Sequence, residues 1–285
     1  MQLMPNKDQG LSELTGQAAK NDFSRGFYDA TIGYKAAQTN IADSASHGTT
    51  SNLDSAYRGA AAAFKDVMNN TLYAGQKADS SSVYQAAYTK ALAEARMIAN
   101  KAAADYSNNK DYTGTQTYDA ATKAYTVGRS DAIKGYQAAL ANPSDKTYTS
   151  ESNKDEVFRG TVDGYNAVVN HKTSDAGKNV NDTNQAYLAA YNKAFNEATS
   201  YAENGATAFG NAVDLIIGRN NLGSNQAAKM VYSVGYQDAN QAYQAAQSNP
   251  TDASSHSSNS NFKATTVQIV IWMKHIKVLQ LDLMM

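Results

Sequence analysis

The sequence predicts an all-α protein of tandem helical repeats. Two observations carry that expectation. First, one pattern occurs three times. Phe23-Ser24-Arg25-Gly26 leads to Asp29-Ala30 and Gly33-Tyr34-Lys35-Ala36-Ala37. Tyr125-Thr126-Val127-Gly128 leads to Asp131-Ala132 and Gly135-Tyr136-Gln137-Ala138-Ala139. Tyr232-Ser233-Val234-Gly235 leads to Asp238-Ala239 and Ala242-Tyr243-Gln244-Ala245-Ala246. The copies start 102 and 107 residues apart, the size of a small domain rather than of one solenoid turn. Second, Phe23, Gly26, Ala30, Gly33 and Ala37 are spaced 3, 4, 3, 4, which is a heptad seam.

Further blocks recur in the same order. Gln17-Ala18-Ala19-Lys20 matches Gln226-Ala227-Ala228-Lys229, and Tyr57-Arg58-Gly59 matches Phe158-Arg159-Gly160. Tyr84-Gln85-Ala86-Ala87-Tyr88 with Lys90 and Glu94 matches Tyr187-Leu188-Ala189-Ala190-Tyr191 with Lys193 and Glu197. The reading is an N-terminal lead at 1–11, one unit at 12–114, a second at 115–218, a truncated third at 219–266 and an atypical tail at 267–285.

Each full unit is expected to hold three helices. In the first unit they fall at 15–40, 53–77 and 81–107, and in the second at 115–142, 155–170 and 183–217. Tyr57, Ala60, Phe64 and Val67 form the stripe of one helix. Tyr84, Ala87, Ala91, Ala95, Ile98 and Ala102 form that of the next, repeated by Tyr187, Ala190, Ala194, Ala198 and Tyr201. Ser82 and Asp182 are the expected N-caps, each offering an oxygen to first-turn N–H groups. Asn142-Pro143 and Asn249-Pro250 stop two equivalent helices, because a residue before Pro avoids the helical region. Gly205 and Gly210 are expected to break the span 183–217. Runs of Ser, Thr, Asn, Asp and Gly, such as Asp43–Asn52, Ser144–Lys154 and Lys172–Asp182, read as loops.

Two packings fit these elements: an antiparallel three-helix bundle per unit, or an array in which the third helix of one unit lies on the first helix of the next. Gly26, Gly128 and Gly235 mark expected points of close helix approach, since Gly in a helix otherwise costs about 1 kcal/mol relative to Ala. On this reading Gly128→Leu overpacks a seam, and Gly128→Ala is milder.

Composition excludes several function classes. The net charge is −1, which argues against nucleic acid or an anionic membrane as partner. Leu, Ile, Val and Phe make up only about 15% of residues, yet the low charge does not fit a disordered chain; Ala and 19 Tyr supply the apolar content. There is no Cys, hence no disulfide or Cys-based zinc site. His47, His171, His256 and His275 have no second His at ligand spacing, and no glycine run is followed by Lys-Ser or Lys-Thr to hold a phosphate. No catalytic, cofactor or metal residue is assigned, and the chain is read as non-enzymatic. Asp29, Asp131 and Asp238 recur in register, and are expected to pair with a Tyr hydroxyl or a cation of a neighbouring helix. Lys90 with Glu94, and Lys193 with Glu197, read as i,i+4 pairs on a solvated face. The candidate binding residues are the tyrosines off the seams or in loops: Tyr28, Tyr73, Tyr106, Tyr112 and Tyr148, whose faces suit sugars or protein anchors.

The tail from Gln268 is rich in Ile, Val, Leu, Met and Lys and holds the only Trp, Trp272. Its apolar run is too short to span a bilayer, and it is expected to be dispensable for the helical fold. Met1-Gln2-Leu3-Met4-Pro5 does not read as a signal peptide, so the chain is either cytosolic or a fragment.

Ala/Tyr-rich helical repeats with Gly-Tyr-x-Ala-Ala motifs, polar loops and no Cys resemble the repeat regions of extracellular proteins from lactobacilli and related Gram-positive bacteria. The resemblance covers roughly residues 12–266. It implies a secreted or cell-surface protein of adhesion or aggregation, a stalk or multivalent adhesin, with a host or cell-wall protein or glycan as partner. The competing expectation is an intracellular or phage-related helical structural protein.

Overall fold

The computed structural model describes residues 7–42, 51–71, 73–111, 116–148 and 152–248. Among these residues all regular structure is helical and no strand occurs. The predicted tail lies outside the described residues. No described helix is long and apolar enough to cross a membrane.

The described residues fall into two compact units, divided between Asp131 and Ala132. The first contains α1 (Lys7–Ser12), α2 (Gln17–Thr39), α3 (Asn52–Asn69), a 3-10 turn (Gly75–Ala78), α4 (Ser82–Ser107) and the first part of α5 (Asp119–Ala141). The second contains the rest of α5, α6 (Asn153–Val169), α7 (Ser174–Gly177), α8 (Gln185–Gly210), α9 (Leu215–Asn220) and α10 (Gln226–Ser248). The helices in each unit pack in a bundle-like arrangement.

The predicted stripes form the cores. Tyr57, Ala60, Phe64, Tyr84, Ala87, Ala91 and Ala95 are buried together in the first unit. In the second, Tyr165, Val168, Ala194, Ala198, Ala202 and Val231 form the core cluster. Each Tyr is large enough to fill the space that the Ala rows leave; the hydroxyls of Tyr57 and Tyr84 donate to the carbonyls of Asn40 and Gly75, whereas that of Tyr165 is buried without a hydrogen bond among the described residues.

Glycines set the spacing between helices consecutive in the chain. A Cβ at Gly33 of α2 would lie 2.9 Å from the Leu53 carbonyl carbon of α3. At Gly59 of α3 it would lie 3.1 Å from the Tyr84 carbonyl carbon of α4, and at Gly128 of α5, 2.6 Å from the Ala99 Cα of α4. The second unit repeats this with Gly135 against Lys154, Gly160 against Tyr187 and Gly235 against Ala202. In each case the nearest atom is a backbone carbonyl oxygen, the geometry of Cα–H···O contacts across close helices. Thus the third helix of a unit does lie on the first helix of the next repeat, as α4–α5 and α8–α10 show. The first and third helices of the first unit, α2 and α4, meet through side chains instead.

Several expectations need correction. Gly26 is not a point of close backbone approach: a Cβ there meets, among the described residues, only the Asn52 side-chain amide at 3.2 Å. Gly128→Ala is not a mild change either, because the Cβ alone collides with backbone. The expected helix 53–77 ends at Asn69, where Asn70 turns left-handed at φ 52° and caps α3 with its N–H. The span 183–217 does break, into α8 ending at Gly210 and α9 from Leu215, through a left-handed Ala212 at φ 57°, but Gly205 stays helical and admits the Tyr232 backbone. The N-caps are Ser81 and Asn184, rather than Ser82 and Asp182.

Candidate functional site

Two side-chain clamps recur, one per unit each time. The first joins the first and third helices. Tyr34 of α2 donates to Glu94 Oε2 of α4 at 2.5 Å, and Gln38 donates to the same carboxylate at 2.9 Å. Tyr118 also donates to Glu94. Lys90, one turn before Glu94, places its Nζ 4.4 Å from the centre of the Tyr34 ring. In the second unit Tyr136 donates to Glu197, whose other oxygen is 2.8 Å from Lys193 Nζ. Lys193 also lies 5.3 Å from the Tyr136 ring centre. Lys193 and Glu197 thus form the expected i,i+4 pair, half-buried rather than on an open face, while Lys90 is exposed and lies over the Tyr34 ring. In both units the Lys and Glu hold the Tyr of the repeated Gly-Tyr motif between a cation and an anion. Burial, then the Glu94 carboxylate, pushes the Tyr34 phenol far above its ordinary range, so it remains a donor.

The second clamp pins the loop between the second and third helices. Arg58 pairs with Asp79 at 2.7 Å and lies 5.7 Å from the Tyr84 ring centre. Arg159 pairs with Asp182 at 2.6 Å and with Glu156 at 2.5 Å, and lies 5.4 Å from the Tyr187 ring centre. Asp79 and Asp182 each accept the N–H two residues on, at Ser81 and Asn184, an Asx turn that delivers the N-cap. The two outer carboxylates thus build the helix start that was expected of Asp182 itself. Arg58 and Arg159 stood in a repeated block, and their recurrence was the signal of a shared role.

The recurring Asp residues take different partners. Asp131 is buried and accepts from the Asn70 amide at 3.0 Å. Asp238 lies 3.6 Å from His171 Nδ1. Asn70 and His171 occupy equivalent positions just past α3 and α6, both left-handed at φ 52° and 53°. At Asp238 the partner is a cation when His171 is protonated, as expected; at Asp131 the Asn70 amide is an uncharged donor that the sequence did not suggest. Asp29 is half-buried.

The predicted binding tyrosines are scattered. Tyr28 of α2 is 66% exposed. Tyr73 follows α3 in a left-handed conformation, and Arg96 lies 4.9 Å from its ring centre and donates to its hydroxyl at 3.2 Å. Tyr106 is half-buried near the end of α4, with Arg129 5.7 Å from its ring centre. Tyr148 stacks on Phe158 with centroids 3.8 Å apart, and Lys154 lies 5.0 Å away on its ring. Tyr112 lies outside the described residues, as do His47, His256 and His275. Tyr73, Tyr106 and Tyr148 each carry a cation on the ring, which leaves Tyr28 as the most open of the set.

An open cleft of about 610 Å³ lies between α2 and α4, lined by Phe27, Thr31, Tyr34, Lys35, Gln38, Lys90, Glu94 and Met97. Its carboxylate already receives Tyr34, Gln38 and Tyr118, and its phenol is committed to Glu94, so neither is free to move protons. What the cleft offers is contact: an apolar wall from Phe27 and Met97, and ammonium groups. Among the described residues no group of His, Asp and Glu is arranged to hold a metal. No family model, curated protein or solved structure matches the chain.

Proposed function

We propose that this chain is a non-enzymatic repeat protein of the cell surface or secreted space, acting as a stalk or multivalent adhesion and aggregation module. One observation carries the reading. Both units repeat the same two internal clamps, Tyr34–Glu94–Lys90 with Tyr136–Glu197–Lys193, and Arg58–Asp79–Tyr84 with Arg159–Asp182–Tyr187. What is repeated is architecture. Repetition serves reach and avidity, because weak contacts of single units multiply when the units are linked. Contact with a host or cell-wall protein or glycan falls to open aromatic surface such as Tyr28, and to the cleft beside Tyr34.

Two measurements test this together. Intact producing cells are treated with protease, and the full chain on beads is offered mucin glycoprotein and purified cell wall. The reading expects loss of the protein by external proteolysis and bead capture that weakens with Tyr28→Ala. A protein shielded from external protease, with no capture on either surface, favours the intracellular structural alternative.

A further inference from the structure

The three copies of the first helix are not equally covered. In α5, Ala120, Ala121 and Ala124 are 0%, 3% and 0% exposed, and Tyr125 is 4% exposed. In α10 the equivalent Ala227, Ala228, Val231 and Tyr232 are 1%, 1%, 0% and 6% exposed. The cover is a third helix in both cases: α4 reaches Gly128 through Ala99, and α8 reaches Gly235 through Ala202. In α2 the same Gln-Ala-Ala-Lys start is present, but Ala18 and Ala19 are exposed, and Phe23 and Gly26 are only half-buried. A Cβ at Gly26 meets, among the described residues, only the Asn52 side chain, where one at Gly128 or Gly235 meets backbone.

A second observation concerns the element before the helix. α9 joins the third helix α8 to α10, and its Gly218 packs on the hydroxyl end of Tyr232. α1 stands in the same place before α2, and its Gly10 packs on the Phe23 ring, equivalent to Tyr232. Leu14 and Leu222 follow at the same interval, four residues after each Gly. So α2 carries both the seam residues and the linker helix of a joint whose other half is not on it.

We propose that the Ala18–Ala19–Phe23–Gly26 face of α2 is the seat of a third helix from another unit of this same repeat. The occupant is specified by the two filled joints: an Ala-rich helix whose backbone carbonyl meets Gly26, with a donor from the end of the preceding second helix reaching Asp29 as Asn70 reaches Asp131. A repeat protein needs polar outer faces only on its terminal units, and α2 departs from the filled seams at one point, where Asp22 stands in place of Ala124 and Val231. This inference rests on the seams alone and holds wherever the protein acts.

The test extends the chain. A second copy of residues 116–225 is joined ahead of Gln17, replacing residues 1–16, so that the junction reproduces Asn225–Gln226. Hydrogen exchange of α2 is compared in the extended and original chains. Protection of the amides from Ala18 to Gly26 is expected to rise about tenfold or more on extension. Gly26→Leu should lower the melting temperature of the extended chain and not that of the original chain, where the gain in helix propensity acts alone, and Asp22→Ala should raise that of the extended chain more than that of the original. Unchanged protection of α2, or equal effects of Gly26→Leu in both chains, would make α2 an end cap and overturn the proposal. An extended chain that fails to fold cooperatively overturns it too. Sedimentation of the original chain as a dimer with α2 protected would assign the face to a second copy instead, which also contradicts it.

Discussion

The two units share helices, glycine seams and clamps, yet carboxylates around their packed helices shift in opposite directions, the exposed Asp145 of the second unit apart. In the first unit the N–H of Ser81, then Arg58, hold Asp79 below the usual carboxylate range. Burial pushes Asp105 up, but Lys101, Lys110 and Tyr125 together bring it below that range. In the second unit burial dominates. It raises Glu156 despite Arg159, Asp163 despite Tyr187, and Asp238 despite His171. At one position the two units differ by a single exchange. Asn70 gives Asp131 a neutral donor at 3.0 Å, whereas His171 stands 3.6 Å from Asp238 and leaves its Oδ2 buried without a hydrogen bond. A repeat can keep its packing while its electrostatics drift, because seams are fixed by backbone contact and clamps by a few side chains.

The largest effects are expected at the seams. Gly59→Leu and Gly160→Leu insert side chains where a Cβ already lies 3.1 Å from the carbonyl carbons of Tyr84 and Tyr187. Each should cost at least the roughly 1–3 kcal/mol typical of overpacking, seen as a lower melting temperature. If only one of the two destabilises, the seams are not equivalent and the comparison between units fails.

Glu94→Ala comes next. It strands Tyr34, Gln38 and Tyr118, three donors left in part-buried surroundings, at about 1–3 kcal/mol for an unsatisfied group. Glu197→Ala strands Tyr136 and the partly exposed Lys193, and should cost less. Denaturant melts of the two variants compare them; equal losses would show that Tyr118 adds nothing.

pH separates the units more finely. Asp79 and Asp105 have lowered folded pKa values, so their contribution is present above the ordinary value of 3.8 and lost as pH falls through the folded one. Asp238 has a raised folded pKa, so its contribution is present below 3.8 and lost as pH rises through the folded value. Hydrogen exchange should show α3 and α4 loosening toward acid, and α6 and α10 loosening from acid toward neutral. Asp238→Asn should remove the second trend at α10, while Glu156 and Asp163 keep it at α6. The smallest effect is His171→Asn, which copies the first unit and should add up to about 1 kcal/mol at neutral pH, one net hydrogen bond. A loss there would mean that His171 already serves Asp238 well.

The helices were legible because Tyr and Ala stripes such as Tyr84, Ala87, Ala91 and Ala95 keep one register for several turns. Helix ends were less so. Asn70 and Ala212 leave the helix through left-handed turns that no stripe announces, and Ser81 and Asn184 cap because Asp79 and Asp182 fold the preceding loop. Gly205 looked like a breaker because sequence shows a missing side chain and not the Tyr232 backbone that uses the space. The clamps were half legible. Lys90–Glu94 was visible as a pair, but its target, Tyr34, lies on another helix 60 residues from Glu94. The predicted tyrosines were chosen for lying off the seams, which does not reveal the cations already on Tyr73, Tyr106 and Tyr148.

The central claim is that equivalent glycines differ because a third helix lies on α5 and α10 and not on α2. Thermal melts of the full chain with Gly26→Ala and with Gly128→Ala test it most directly. At Gly26 the methyl group meets, among the described residues, only the end of the Asn52 side chain at 3.2 Å, which can turn aside, and the helix propensity gained, about 1 kcal/mol, should raise stability. At Gly128 it would sit 2.6 Å from the Ala99 Cα, and stability should fall. Opposite signs are the predicted result; a change of the same sign and size in both variants would contradict the account.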